Sequence, residues 1–129
     1  HGMRRSHSSQ AMTAYTRENQ RKTCMFQDVG VIVRIVDLCF RFWVQVFFDG
    51  RDLIKKEIGL FDGLKVHPSG LVFATGPGGV LLIKEDGTHI GTIKTELRSA
   101  NCSFDDDFKY LYMTSHKYLT RIKLISTNL

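Results

Sequence analysis

The rhythm of hydrophobic positions changes near residue 44. From there onward short apolar runs recur: VQVFF (44–48), GLKVH (63–67), LVFAT (71–75), VLLIK (80–84) and HIGTIK (89–94). CSF (102–104), YLYMT (110–114) and LTRIKLI (119–125) continue the series. Between them stand breakers with a mechanism: DG at 49–50 and 86–87, HPSG at 67–70, GPGG at 76–79 and the acidic run DDD at 105–107. Glycine supplies positive φ, proline sets φ, and Asp or Ser side chains bond their own backbone. Strands that short, separated by turns that tight, predict an all-β antiparallel meander of hairpins.

An internal echo refines that expectation. SGLVFATGPGGVLLI (69–83) aligns with FKYLYMTSHKYLTRI (108–122) at a period of 39 residues. A repeat near forty residues with four strands per unit is the mark of a β-propeller blade. Residues 44–125 hold about two such blades, whereas closure needs at least four. The chain is then a fragment of a ring, or it completes itself by self-association through its exposed sheet edges.

Upstream the pattern is weaker. Residues 1–25 show no sustained apolar period and predict a flexible basic arm. The segment 26–43 is apolar but unassigned, with room for one or two strands. VGVIVRIVDLCFRFWVQVFF (29–48) has the length of a membrane span, but Arg34, Asp37 and Arg41 lie inside it. Each central charge costs about 2.5–3.5 kcal/mol on insertion, so sheet strands fit better than a membrane segment.

Composition agrees with a folded β domain: nine Phe, four Tyr and one Trp stand in 129 residues that are 43% hydrophobic. The net charge of +5 is concentrated at the N-terminus. There Arg4, Arg5, Arg17, Arg21 and Lys22 face only Glu18, leaving a near-neutral remainder. Without aromatics spaced among these cations no nucleic-acid platform is expected. Three cysteines, Cys24, Cys39 and Cys102, show no CxxC or Cys/His spacing and suggest buried free thiols. With no signal-peptide pattern in the polar leader, these thiols point to a reducing, cytoplasmic compartment.

The ordered motifs FDG (61–63), HPSG (67–70), ATGPGGV (74–80), DG (86–87), HIGTI (89–93), ANCSF (100–104) and LYMT (111–114) carry a resemblance. Together with the lead-in VFFDGRDLI (46–54), they resemble the late blades of gluconolactonases, in the family that includes regucalcin (senescence marker protein) and luciferin-regenerating enzyme. The likeness spans residues 46–125. It implies a six-bladed propeller that hydrolyses sugar lactones with one divalent cation, calcium or zinc, on its axis. The aspartate of the family's PDG motif is a metal ligand that also acts in water activation, and its match is Asp62. Phe61 replaces the proline, which removes the fixed φ before the ligand.

The family's other ligands, a glutamate and an asparagine from earlier blades, find no match upstream of residue 46. Glu18 and Asn19 lack the family context, and residues 1–43 do not resemble the earlier blades.

Read without the resemblance, Asp62 is the Asp of a turn-forming Asp-Gly pair, and both readings stand at this point. GPGG lacks the lysine and following helix of a phosphate loop and reads as a β-turn. His67, His89 and His116 have no partner nearby in sequence. Asp105–Asp107 lack calcium-loop spacing and read as a solvated hairpin turn. No G-x-S-x-G elbow occurs. The resulting expectation is part of a metal-dependent lactone hydrolase with Asp62 as its catalytic and metal-binding carboxylate. The alternative is a propeller fragment without activity of its own.

Overall fold

The computed structural model describes residues 11–15, 21–26, 30–38 and 41–125. Three antiparallel sheets follow one another along the chain. The first contains β1 (Ala11–Tyr15), β2 (Arg21–Phe26), β3 (Val31–Leu38) and β4 (Arg41–Asp49), in that order. A short helix, α1 (Arg51–Lys56), leads to the second sheet of β5 (Leu64–Val66), β6 (Val72–Gly76), β7 (Gly79–Ile83) and β8 (His89–Lys94). The third has β9 (Ser99–Phe104), β10 (Tyr110–Ser115) and β11 (Tyr118–Lys123). Every strand pairs only with its neighbours in sequence, so each sheet is a simple meander. The first strands lie beside one another: β5 touches both β1 and β9.

Side-chain alternation in β6 and β7 explains how three sheets share two seams. Successive residues of a strand face opposite sides of the sheet. Val72, Ala74, Leu81 and Ile83 join Ile32, Phe47, Phe61 and Leu64 in a core between the first and second sheets. Their alternates Phe73 and Val80, with Leu71, join Cys102, Leu111 and Met113 in a core between the second and third. The cross-strand register keeps the two sets apart, with Val72 opposite Ile83 and Phe73 opposite Leu82. A strand buried on both faces needs apolar residues at nearly every position, which is why FATG and VLLI read as unbroken runs. Each such side chain contributes about 1.5–3 kcal/mol on burial.

The turns follow their residues. Pro77–Gly78 closes the β6–β7 hairpin, with Gly78 at φ 82°, a conformation proline followed by glycine is suited to adopt. At HPSG, Gly70 N–H donates to the His67 carbonyl at 2.8 Å and Gly70 takes φ 89°. In the acidic turn, Asp105 Oδ1 accepts from Lys109 N–H and Tyr110 N–H at 2.7 and 2.8 Å. That carboxylate is engaged in shaping a hairpin, in line with the turn reading of DDD. The 39-residue echo falls on two equivalent hairpins, β6–β7 and β10–β11.

Two expectations change, while the one or two strands expected in 26–43 are met. Residues 44–125 do not hold two four-stranded units: VQVFF is the end of β4 in the upstream sheet, and the last sheet has three described strands. Within the expected flexible arm, 11–15 and 21–26 are strands, while 1–10 and 16–20 lie outside the described residues. The pairing of β1 and β2 in register with β3 supplies order that their own weak pattern did not announce. Segment 26–43 contains β3 and the start of β4. Helix α1 was unannounced as well, because a six-residue helix is too short to show a period. Among the described residues no helix is long and apolar enough to cross a membrane.

At the far end of the second seam His67 stands edge-on to Phe104 and Phe108, with ring centroids 5.4 Å away in each case, and also touches Phe73. Its Nδ1 accepts from Ser69 N–H at 3.1 Å, so the ring is held in its neutral form. Burial pushes its pKa below the ordinary 6.5. A depressed histidine pKa means that the unfolded chain takes up the proton first. The stability His67 confers is therefore complete above pH 6.5 and is lost as the pH falls through that value towards the depressed one. Thermal unfolding between pH 8 and 5 should show this loss, and the His67→Gln variant should show a flatter profile over the same range.

Candidate functional site

Asp62 stands in the loop just before β5, at the end of the second sheet where the first strands of neighbouring sheets meet. Its position is built by the residues on either side. Phe61 is fully buried and fills a space that two glycines leave open. A Cβ on Gly50 would lie 2.3 Å from the Phe61 ring, and one on Gly76 would lie 2.8 Å from it. Phe48 meets the same ring edge-on, with centroids 6.2 Å apart. The ring thus wedges between the end of β4 and the end of β6. Burial of this side chain takes over the role that a fixed proline φ would have had, so the sequence departure at 61 does not leave Asp62 loose.

On the other side Gly63 is pressed against the third sheet. A Cβ there would fall 2.3 Å from Asn101 Oδ1 and 2.8 Å from Asn101 Cα, so only glycine fits. Asp62 N–H donates to the Thr75 carbonyl at 3.2 Å, and Thr75 N–H donates to the Gly63 carbonyl at 2.8 Å. The Thr75 hydroxyl accepts from Gly63 N–H at 2.6 Å. These bonds extend the β5–β6 ladder by two residues and hold Asp62 at its end.

The carboxyl group itself is different. It is partly buried, and among residues 45–125 no group hydrogen-bonds or ion-pairs with it. Burial raises its pKa above the ordinary carboxylate value. A turn-forming Asp would normally bond its own backbone, as Asp86 Oδ1 does with Thr88 N–H at 2.8 Å. Asp62 does not, which separates it from the structural aspartates of this chain.

An unpaired, partly desolvated carboxylate suits a hard cation, but one carboxylate does not make a shell of six to eight oxygens. Among the described residues no three His, Cys, Asp or Glu side chains converge. Asn101 is the nearest further polar side chain to the Asp62–Gly63 turn; its Oδ1 accepts from Cys102 N–H at 2.9 Å. The complete coordination sphere is therefore not supplied by the described residues. His89 Nε2 pairs with Thr92 Oγ1 at 3.0 Å and its ring meets Phe48 at a tilt, and His116 occupies a turn at φ 52°. Cys102 is buried and its thiol is pushed up to about 12, which makes it an inert core residue. The sequence placed Asn101 in the ANCSF motif without a role and did not single out Thr75. The signal available was a lone threonine in an otherwise apolar strand that is buried on both faces.

Solved structures with the same fold are members of the family that the motifs resemble. A gluconolactonase from Xanthomonas campestris matches with a TM-score of 0.74 at 22% identity, over 88% of this chain and 37% of its own. Luciferin-regenerating enzyme matches with a TM-score of 0.68 at 14% identity, over 81% of this chain and 37% of its own. Regucalcin from Agrobacterium tumefaciens, a calcium-binding protein, matches at 0.67 and 18% identity with the same coverages. No protein-family model and no curated protein matches the sequence. The chain spans about two fifths of the length of the structures it matches. Residues 46–125 account for 80 of 129 positions, so a match over 88% of the chain takes in part of the first sheet as well.

Phe61→Ala should destabilise the fold by about 3–5 kcal/mol, because the wedge leaves a cavity that two glycines cannot close. Denaturant unfolding measures this directly. Phe61→Leu, which keeps most of the volume, should cost clearly less.

Proposed function

We propose that this chain is part of a gluconolactonase-like lactone hydrolase, a six-bladed propeller in its complete form, to which it contributes Asp62. The observation that carries the reading is the Asp62 carboxylate: partly buried, without a partner among residues 45–125, and held by Phe61 and Gly63 just before the first strand of the second sheet. The ordered motifs from FDG to LYMT and the fold shared with a gluconolactonase support it. Asp62 would be one ligand of a divalent cation, calcium or zinc, whose remaining ligands come from outside the described residues. Such a cation would supply Lewis-acid activation of the lactone carbonyl and of a hydrolytic water.

The chain's own part in the chemistry is positional and electrostatic. Desolvation makes the negative charge of Asp62 costly while it is unpaired, so a cation or a donating water is favoured there over bulk solvent. A carboxylate held at a fixed place can accept a hydrogen bond from the attacking water and orient it. The substrate class would be a sugar lactone.

A second reading rests on a separate observation: among the described residues no group of three metal-binding side chains converges. On that reading the chain is a non-catalytic propeller fragment. Gluconolactone hydrolysis by the purified protein, with added Ca²⁺ or Zn²⁺ and with chelator, distinguishes the two. The lactonase reading expects cation-dependent turnover that falls by about 10²-fold or more in Asp62→Ala. Absence of turnover with every cation, or turnover unaltered in Asp62→Ala, supports the fragment.

A further inference from the structure

We infer that Thr75 is the positioning residue of this site: its hydroxyl holds the Asp62–Gly63 turn and ties it to the first strand of the next sheet. The assignment deepens the reading of Asp62 as the site's carboxylate and rests on it. Thr75 is fully buried on the face of β6 that also carries Phe73, in a seam lined by Leu71, Val80, Cys102 and Leu111. Valine has nearly the same shape and would suit that seam without a polar atom. A hydroxyl withdrawn from water costs roughly 1–3 kcal/mol unless it is bonded. Its bonds therefore explain why threonine stands there.

Those bonds converge on one place. Thr75 Oγ1 accepts from Gly63 N–H at 2.6 Å. Its single proton has two acceptors at 3.2 Å, the Gly63 carbonyl and the Ala100 carbonyl of β9. The backbone of Thr75 completes the clamp, accepting from Asp62 N–H and donating to the Gly63 carbonyl. Gly63 is backed on its other side by Asn101. The turn is thus gripped by the second sheet and braced by the third. Among residues 45–125 the Asp62 carboxyl makes no hydrogen bond, so the backbone that carries it, held by Thr75 and by the buried Phe61, sets its aim. Through Ala100 the same hydroxyl couples the aim of Asp62 to the seating of β9.

Amide exchange and carboxyl ¹³C spectra of the full chain test this without requiring turnover, so failure here is distinct from failure of the lactonase reading. Thr75→Val should speed exchange of the Gly63 amide by about tenfold or more relative to β10 amides, and move the Asp62 carboxyl resonance at fixed pH. Thr75→Ser, which keeps the hydroxyl, should restore both. Ile122→Ala, at the far side of the same seam, should lower stability while leaving both signals in place. Should Thr75→Val not fold, Thr75→Ala serves in its stead with the same expectation. Unmoved Gly63 and Asp62 signals in the variant lacking the hydroxyl overturn the assignment. Equal movement in Ile122→Ala, or no recovery in Thr75→Ser, overturns it as well.

Discussion

The burial of the second sheet on both faces is the constraint from which the rest of this structure follows. A sheet with one wet face can alternate apolar and polar residues, whereas β6 and β7 send one set of side chains into each of two seams. Val72, Ala74, Leu81 and Ile83 serve one seam, and Phe73, Val80 and Leu82 the other. A slip of one residue in register would exchange the two sets and set Phe73 where Ala74 now fits. The β6–β7 register is closed by the Pro77–Gly78 turn, and β7 lies so close to β8 that a Cβ on Gly79 would fall 2.1 Å from the Ile93 carbonyl oxygen.

The same constraint creates the candidate site. Asp62 sits just beyond the start of β5, where the first and third sheets approach the second. Phe61 anchors it from the first seam, and Gly63 with Thr75 anchors it from the second. One carboxylate is thereby held by both interfaces at once. Fixing a charged group through its backbone leaves the charge free for a ligand, whereas the structural aspartates Asp86 and Asp105 spend their oxygens on local N–H donors. This contrast is the physical content of the distinction between a turn aspartate and a site aspartate here.

The two ends of the three-sheet stack are not equivalent to its middle. β11 leaves Tyr118, Leu119 and Ile125 beside or beyond it exposed, Leu119 at 72%. Arg121 lies over the Tyr110 ring, 4.9 Å from its centroid, on the side of the third sheet opposite Leu111 and Met113. Only the middle sheet has a described sheet packed against each of its faces.

Much of the middle and last sheets was legible in the sequence, because their turns are written in residues with one strong conformational preference. GPGG, HPSG and the Asp-led turns located the strands from β5 to β11 within one or two residues, except that β9 begins three residues before its CSF run, and the order of the motifs pointed to Asp62. Only the first half of the first sheet was not legible, since residues 11–26 carry strand formers without comparable turn chemistry; β3 and β4 match the sheet strands expected within 29–48. Propensity without punctuation does not reveal pairing. Helix α1 and the anchoring role of Phe61 were hidden too, because each depends on groups distant in the chain. What the sequence determined by itself was local: where the chain turns, which runs are buried, and which carboxylate to examine. Tertiary structure alone decided that Phe61 fills the space left by Gly50 and Gly76, and that Thr75 joins Gly63 to Ala100 across a seam. Those contacts link residues 11 to 25 positions apart, and only closure of the sheets brings them together.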